Sequence, residues 1–110
     1  MQSMTALCDS VQPQDQLREA MKLVGDFWTL RIIDALSGSE LRFCGIERAI
    51  PDINPATLTA RLKRLEEADV ICRATEEQDK QSVSYHLTDK GRGLLPVLAS
   101  IQAFTATNQS

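Results

Sequence analysis

Catalytic equipment is what this chain has least of. It holds one histidine, and its three cysteines, Cys8, Cys44 and Cys72, are odd in number and far apart. That spacing makes no disulfide framework, and no CxxC or Cys/His grouping offers metal-ligand geometry. No nucleophile–base set or phosphate loop can be read, so an enzyme is not expected and no cofactor or metal is implied. Long apolar runs are missing too: none approaches the ~18–20 residues that span a bilayer. Residues 1–12 lack the cationic start and apolar centre of a signal peptide. The expectation is a protein with no membrane partner, working in the cytoplasm. At 110 residues, with 43% apolar and 25% charged side chains, the composition is that of one soluble globular domain.

A net charge of −3 at first argues against nucleic acid. The distribution points the other way. Residues 1–40 carry three cations and six acids, residues 41–65 five and two, and residues 66–110 four and seven. Positive charge is therefore gathered in the middle of an otherwise acidic chain. That middle contains the most informative stretch. Asn54 is a favoured helix cap, and Pro55 fits the first helical position because its missing N–H has no partner there anyway. Behind the cap, Leu58, Leu62 and Leu65 form one apolar stripe at i, i+4 and i+7. The opposite face carries Ala56, Thr57, Thr59, Ala60, Lys63 and Arg64, with Arg61 on the flank and no acid before Glu66. Small residues, hydroxyls and cations suit a helix that lies against polyphosphate in a DNA major groove. An amphipathic surface helix with a solvated basic side shows the same pattern, so the surrounding elements must decide.

Residues 1–12 read as a flexible N-terminal arm, and residues 13–110 as one domain. A first helix is expected over Pro13–Val24, closed by Gly25. Asp26 caps a second, holding Phe27, Trp28, Ile32, Ile33, Ala35 and Leu36. Leu41-Arg42-Phe43 reads as a short extended segment, Gly45 to Ile50 as a brief third helix with Ile46, Ala49 and Ile50 inward, and Asn54 to about Asp69 as the fourth. Val70–Thr75 and Ser82–Leu87 alternate as strands around a polar turn. Thr88 caps a final helix with Pro96 inside it, where a kink is expected. The fold class is mainly α with a small β-hairpin (α+β), a winged helix-turn-helix in which the hairpin is the wing.

The final helix bears Leu94, Val97, Leu98, Ile101 and Phe104 on more faces than one small domain covers. Such an apolar surplus needs a partner surface. Leu17, Met21 and Val24 of the first helix can supply it from a second copy, making a homodimer with a C-terminal dimerisation helix.

In its ordered motifs the chain resembles the HxlR-type transcriptional regulators, a branch of the MarR-like winged-helix proteins. The resemblance runs through Gly25-Asp26-Phe27-Trp28-Thr29-Leu30, Leu41-Arg42-Phe43 and Ile50 to Leu62. It continues in Leu65 to Ile71, Tyr85-His86-Leu87-Thr88 and Gly91 to Leu98, and spans roughly residues 15–105. It implies a homodimeric, sequence-specific DNA-binding regulator, with a small molecule or oxidant as effector. Relatives that sense oxidants carry a cysteine just before the first helix. Asp15 stands near that position here, and Cys8, upstream in the arm, is the candidate redox-sensing residue. Many relatives also have an arginine where Ser82 stands, and this wing bears Glu76, Glu77 and Asp79.

Base edges are expected to be read by Pro55, Ala56, Thr57, Thr59, Ala60 and Lys63, since the N-terminal part of a recognition helix does this. Thr and Ala can meet a thymine methyl, and Lys can reach guanine O6 or N7. Arg42, Arg61 and Arg64 are phosphate candidates, although Arg61 on the flank can equally pair with an acid from a neighbouring helix. In the wing, Lys80, Gln81 and Ser82 contact phosphate or minor groove, or form an inert solvated turn. Trp28 reads as core, Cys44 as a buried or capping thiol, Cys72 as structural, and His86 as a structural or surface residue. The functional expectation is a regulator binding a palindromic operator through helix 54–69. Its rival is a winged-helix module that binds protein without DNA, which the segregated charge disfavours.

Overall fold

A computed structural model describes residues 13–75 and 83–108. The elements run α1 (Pro13–Val24), α2 (Phe27–Leu36), β1 (Leu41–Arg42), α3 (Phe43–Ala49), α4 (Pro55–Glu67), β2 (Ile71–Thr75), β3 (Val83–Leu87), α5 (Asp89–Arg92) and α6 (Leu95–Asn108). The three strands form one antiparallel sheet in the order β1-β3-β2. Leu41 faces Tyr85, and Ile71 faces Leu87, so the expected hairpin gains a third, short edge strand. Helices with this sheet beside them make the winged helix that the order of elements predicts.

Local chemistry sets most boundaries. Asp26 caps α2 by accepting from Thr29 N at 2.8 Å, and Thr88 caps α5 by accepting from Gly91 N at 3.0 Å. Between them lies one core. Ile32, Ile33 and Leu36 of α2, Ile46 of α3, Ile50 and Ile53 of the turn, and Leu58, Leu62 and Leu65 of α4 pack with Val70, Ile71 and Leu87. Trp28 is half-buried against this cluster, as expected of a core residue.

Several boundaries differ from the sequence reading, among them the end of α4 at Glu67 and the start of β2 at Ile71. α3 begins at Phe43, two residues early, because Arg42 is already the extended residue that precedes the helix. Ala49 is exposed, while Ile50, just past the helix end, turns inward. The last helix is two helices. Gly93 closes α5, and Pro96 falls at the second position of α6, in the first turn, where no intrahelical N–H is required. The proline marks a helix start, not a kink.

The surface proposed for dimerisation divides. Leu17 (61% exposed), Met21 (60%), Ile101 (41%) and Phe104 (68%) lie open. Leu94 and Leu98 instead pack partly against the chain's own core, and Val24 and Val97 are half-buried. Phe27 is exposed as well: its ring meets Trp28 edge-on at 4.9 Å and lies 5.5 Å from the Arg31 guanidinium.

Candidate nucleic-acid interface

α3, the turn through Pro51 and Asp52, and α4 form the helix-turn-helix. The turn is held from inside by Ile50 and Ile53, both buried, with Ile53 N donating to Ile50 O at 3.1 Å. α4 then starts as its sequence requires. Asn54 Oδ1 accepts from Ala56 N at 2.7 Å and from Thr57 N at 3.4 Å, and Pro55 occupies the first turn. Leu58, Leu62 and Leu65 are buried, which forces the opposite face outward. Pro55, Ala56, Thr59, Ala60, Lys63 and Arg64 are exposed together, with Thr57 half-buried at their edge. No acid lies in the first turn. This gives a shallow, cationic helix face with an open N-terminal end.

Arg61 takes its structural alternative. Its Nε donates to Asp26 Oδ2 at 2.8 Å and its second terminal nitrogen to Asp26 Oδ1 at 3.2 Å, a two-pronged pair bridging α4 to the start of α2. Both side chains are mostly buried. Asp26 Oδ2 also accepts from the Thr29 hydroxyl at 2.7 Å, and Thr29 is fully buried. One carboxylate thus caps α2 and anchors the flank of α4. Burial alone pushes the Asp26 carboxyl up, but the hydrogen bonds from Arg61 and Thr29 outweigh it and hold it down, from an ordinary 3.8 to about 2.

Arg42 is exposed beside the start of α3. The wing strands pair in register, but Lys80, Gln81 and Ser82 lie outside the described residues, as do Cys8 and the arm at 1–12. Cys44 and Cys72 are free and exposed, so of the two readings for Cys44 the buried one does not hold. His86 sits half-buried in β3, opposite Cys72. Among the described residues no group of three or more Cys, His, Asp or Glu could hold a metal ion, and no helix is long and apolar enough to cross a membrane.

The model of the HxlR-like helix-turn-helix family matches residues 23–110, from the end of α1 through α6. This chain belongs to that family. YodB, an HTH-type transcriptional regulator of Bacillus subtilis, is 34% identical over 89 residues, covering 81% of this chain and 80% of YodB. YvaP, an uncharacterised HTH-type transcriptional regulator of the same organism, is 33% identical over 86 residues, 78% of this chain and 80% of YvaP. The reduced form of YodB superposes with a TM-score of 0.73 over 86% of this chain and 90% of that one, at 33% identity. YodB has also been solved after diamide treatment and with a quinone bound. These relatives are regulators, not enzymes, and this HxlR-type chain is a helix-turn-helix transcriptional regulator of the same kind.

The Asp26–Arg61 pair has a measurable signature in an HxlR-type domain. The folded-state pKa of Asp26 lies below its ordinary value, so the pair's stabilisation is complete above about pH 4. It is lost as pH falls from about 4 towards 2, and together with the Thr29 hydrogen bonds to the same carboxylate it amounts to about 2 kcal/mol. Thermal melts of wild type and Asp26→Asn should therefore converge as the pH is lowered through that window. A constant gap between them would show that the pair contributes nothing through ionisation.

Proposed function

We propose that the protein is a sequence-specific DNA-binding regulator that acts as a homodimer on a palindromic operator, in the cytoplasm. The observation that carries this reading is the exposed face of α4, where Lys63 and Arg64 stand with small residues and threonines, opposite a fully buried leucine stripe. In this reading α4 enters the major groove. Pro55, Ala56, Thr57, Thr59, Ala60 and Lys63 meet base edges, and Arg42 and Arg64 meet phosphates. Arg61 positions the helix through Asp26 instead of touching DNA. Lys80, Gln81 and Ser82 at the wing tip are proposed to meet the flanking backbone.

The test begins with sheared DNA from the source organism, retained on the protein and sequenced. Affinity for the recovered site is then followed with rising salt. A DNA reader loses affinity linearly on a log–log plot, with a slope of about −0.9 per phosphate neutralised. A flat response, or no retained sequence, would favour the protein-binding module instead.

The dimer rests on Leu17 and Met21 of α1 and Ile101 and Phe104 of α6, an apolar area too exposed for a lone domain. Residues 13–110 would then be one winged-helix unit with α6 as its dimerisation helix. Two-fold pairing would set two copies of α4 about 34 Å apart, one turn of duplex. Sedimentation is expected to give a species of twice 12.2 kDa. The pair Leu17→Asp and Ile101→Asp should shift it to the monomer without lowering helix content. Wild type sedimenting near 12.2 kDa at micromolar concentration would sink the dimer.

An oxidant effector is supported by the diamide-treated and quinone-bound forms of YodB. Cys8 is the proposed thiol. Operator affinity after diamide should change in wild type and not in Cys8→Ser; equal responses would exclude Cys8.

A further inference from the structure

Behind the DNA-facing surface, α1 leans over the corner where α4 ends and α5 begins, and encloses an open cavity of about 480 Å³. That volume lies within the range of small-molecule sites. Its floor is apolar, formed by Ala20 and Leu23 of α1, Ala68 and Val70 of the corner, and Leu94. Its rim is acidic. Asp15 and Glu19 both line it, and Glu19 is paired only at 3.5 Å with the exposed Lys22, a contact weakened by water.

The cation among the lining residues is Lys90, and its ammonium is turned to one wall. Lys90 Nζ donates to the Ala68 carbonyl oxygen at 2.9 Å, at the C-terminal end of α4. A helix C-terminus carries partial negative charge, which Lys90 offsets. Two carboxylates, Asp15 and Glu19, stand on the facing wall against this one ammonium, so the lining is negative on balance. An organic anion would meet them unfavourably, while a cation with an apolar body would match both rim and floor. Leu17 and Met21 lie on another side of α1, against a separate shallow groove.

We propose that this cavity binds a hydrophobic organic cation, its charge beside Asp15 and Glu19 and its apolar body on Ala20, Leu23, Val70 and Leu94. The place matters for regulation. Thr88 N donates to Val70 O at 3.0 Å, and the Thr88 hydroxyl donates to Asp69 O at 2.6 Å, so the cavity borders the joint that ties α4 to the C-terminal helices. A ligand there acts on the end of α4 and on α1 together. This goes beyond the DNA-binding reading and does not depend on it.

The test is calorimetric titration of the full chain, without DNA, with tetraphenylphosphonium and with tetraphenylborate, ions of one shape and opposite charge. The phosphonium is expected to bind once per chain in the micromolar range, and the borate at least about 10-fold more weakly. Asp15→Asn with Glu19→Gln should weaken the phosphonium by about 10-fold and bring the two ions level. Ala20→Trp, which fills the floor from an exposed position, should remove both. Equal binding of the two ions by wild type overturns the proposal, as does phosphonium binding that the carboxamide pair or Ala20→Trp leaves unchanged. No binding at all, as when a second copy covers the cavity, overturns it too. With no DNA present, these outcomes stand whether or not the protein binds an operator.

Discussion

Replacing Lys63 and Arg64 together by alanine is expected to lower operator affinity at least about 100-fold while leaving the fold intact. Both side chains are exposed on the face of α4 opposite Leu58, Leu62 and Leu65, so their removal empties no core space. Alanine is also the best helix former, and the helix itself should not suffer. The loss at the interface is large because each contact would occur twice in the proposed dimer. A good base contact from Lys63 is worth about 1–3 kcal/mol of discrimination, and an Arg64–phosphate contact adds a released counterion. A second readout separates the roles. Arg64→Ala alone should flatten the salt dependence and weaken all sequences alike, whereas Lys63→Ala should relax preference at one base pair in each half-site. Binding retained within about 2-fold by the double variant, ~0.4 kcal/mol, would mean that α4 does not enter the groove.

Gly91→Ala is expected to destabilise the protein by about 3 kcal/mol, enough to lower its melting temperature by more than about 10 °C. Helix propensity predicts the opposite sign, since alanine in a helix is favoured over glycine by about 1 kcal/mol. Space decides the matter. Gly91 is buried in α5, and a β-carbon there would sit 2.1 Å from the carbonyl oxygen of Val70 and 3.2 Å from its Cγ1. The obstacle is backbone, and that same carbonyl accepts from Thr88 N, so relieving the clash pulls apart the joint between β2 and α5. Because α4 ends at this corner, with Asp69 in the left-handed region at φ 64°, the disturbance should reach operator binding as well. A variant that melts within a degree or two of wild type would show that the corner yields without cost. Urea unfolding with the slope compared between the two proteins checks that the folded state, not the unfolded chain, has changed.

Sequence by itself determined the features whose cause lies within a turn or two of chain. The bounds of α1, the capping of α2 by Asp26 and of α4 by Asn54 with Pro55, the leucine stripe and the paired wing strands all follow from side chains bonding their own backbone or repeating at the period of their element. The cationic, acid-free face of α4 is legible for the same reason, since burying the stripe dictates what remains outside. Tertiary structure decided what depends on residues brought together from a distance. Arg61 lies beside the stripe and can turn either way along its helix; only the arrival of Asp26, 35 residues earlier, settles it as an anchor. Leu94 and Leu98 belong to the same apolar run as Ile101 and Phe104, yet the first two reach the core and the last two do not, because α6 extends past the body that could cover it. The break at Gly93 was equally hidden: Thr88 and Pro96 each mark a helix start, and the packing of Gly91 under Val70 is what makes both starts real. The cavity between α1 and the α4–α5 corner has no signature in any window of sequence. Its apolar floor reads as ordinary core periodicity and its carboxylates as a solvated helix face, and only the fold brings them together around one cavity.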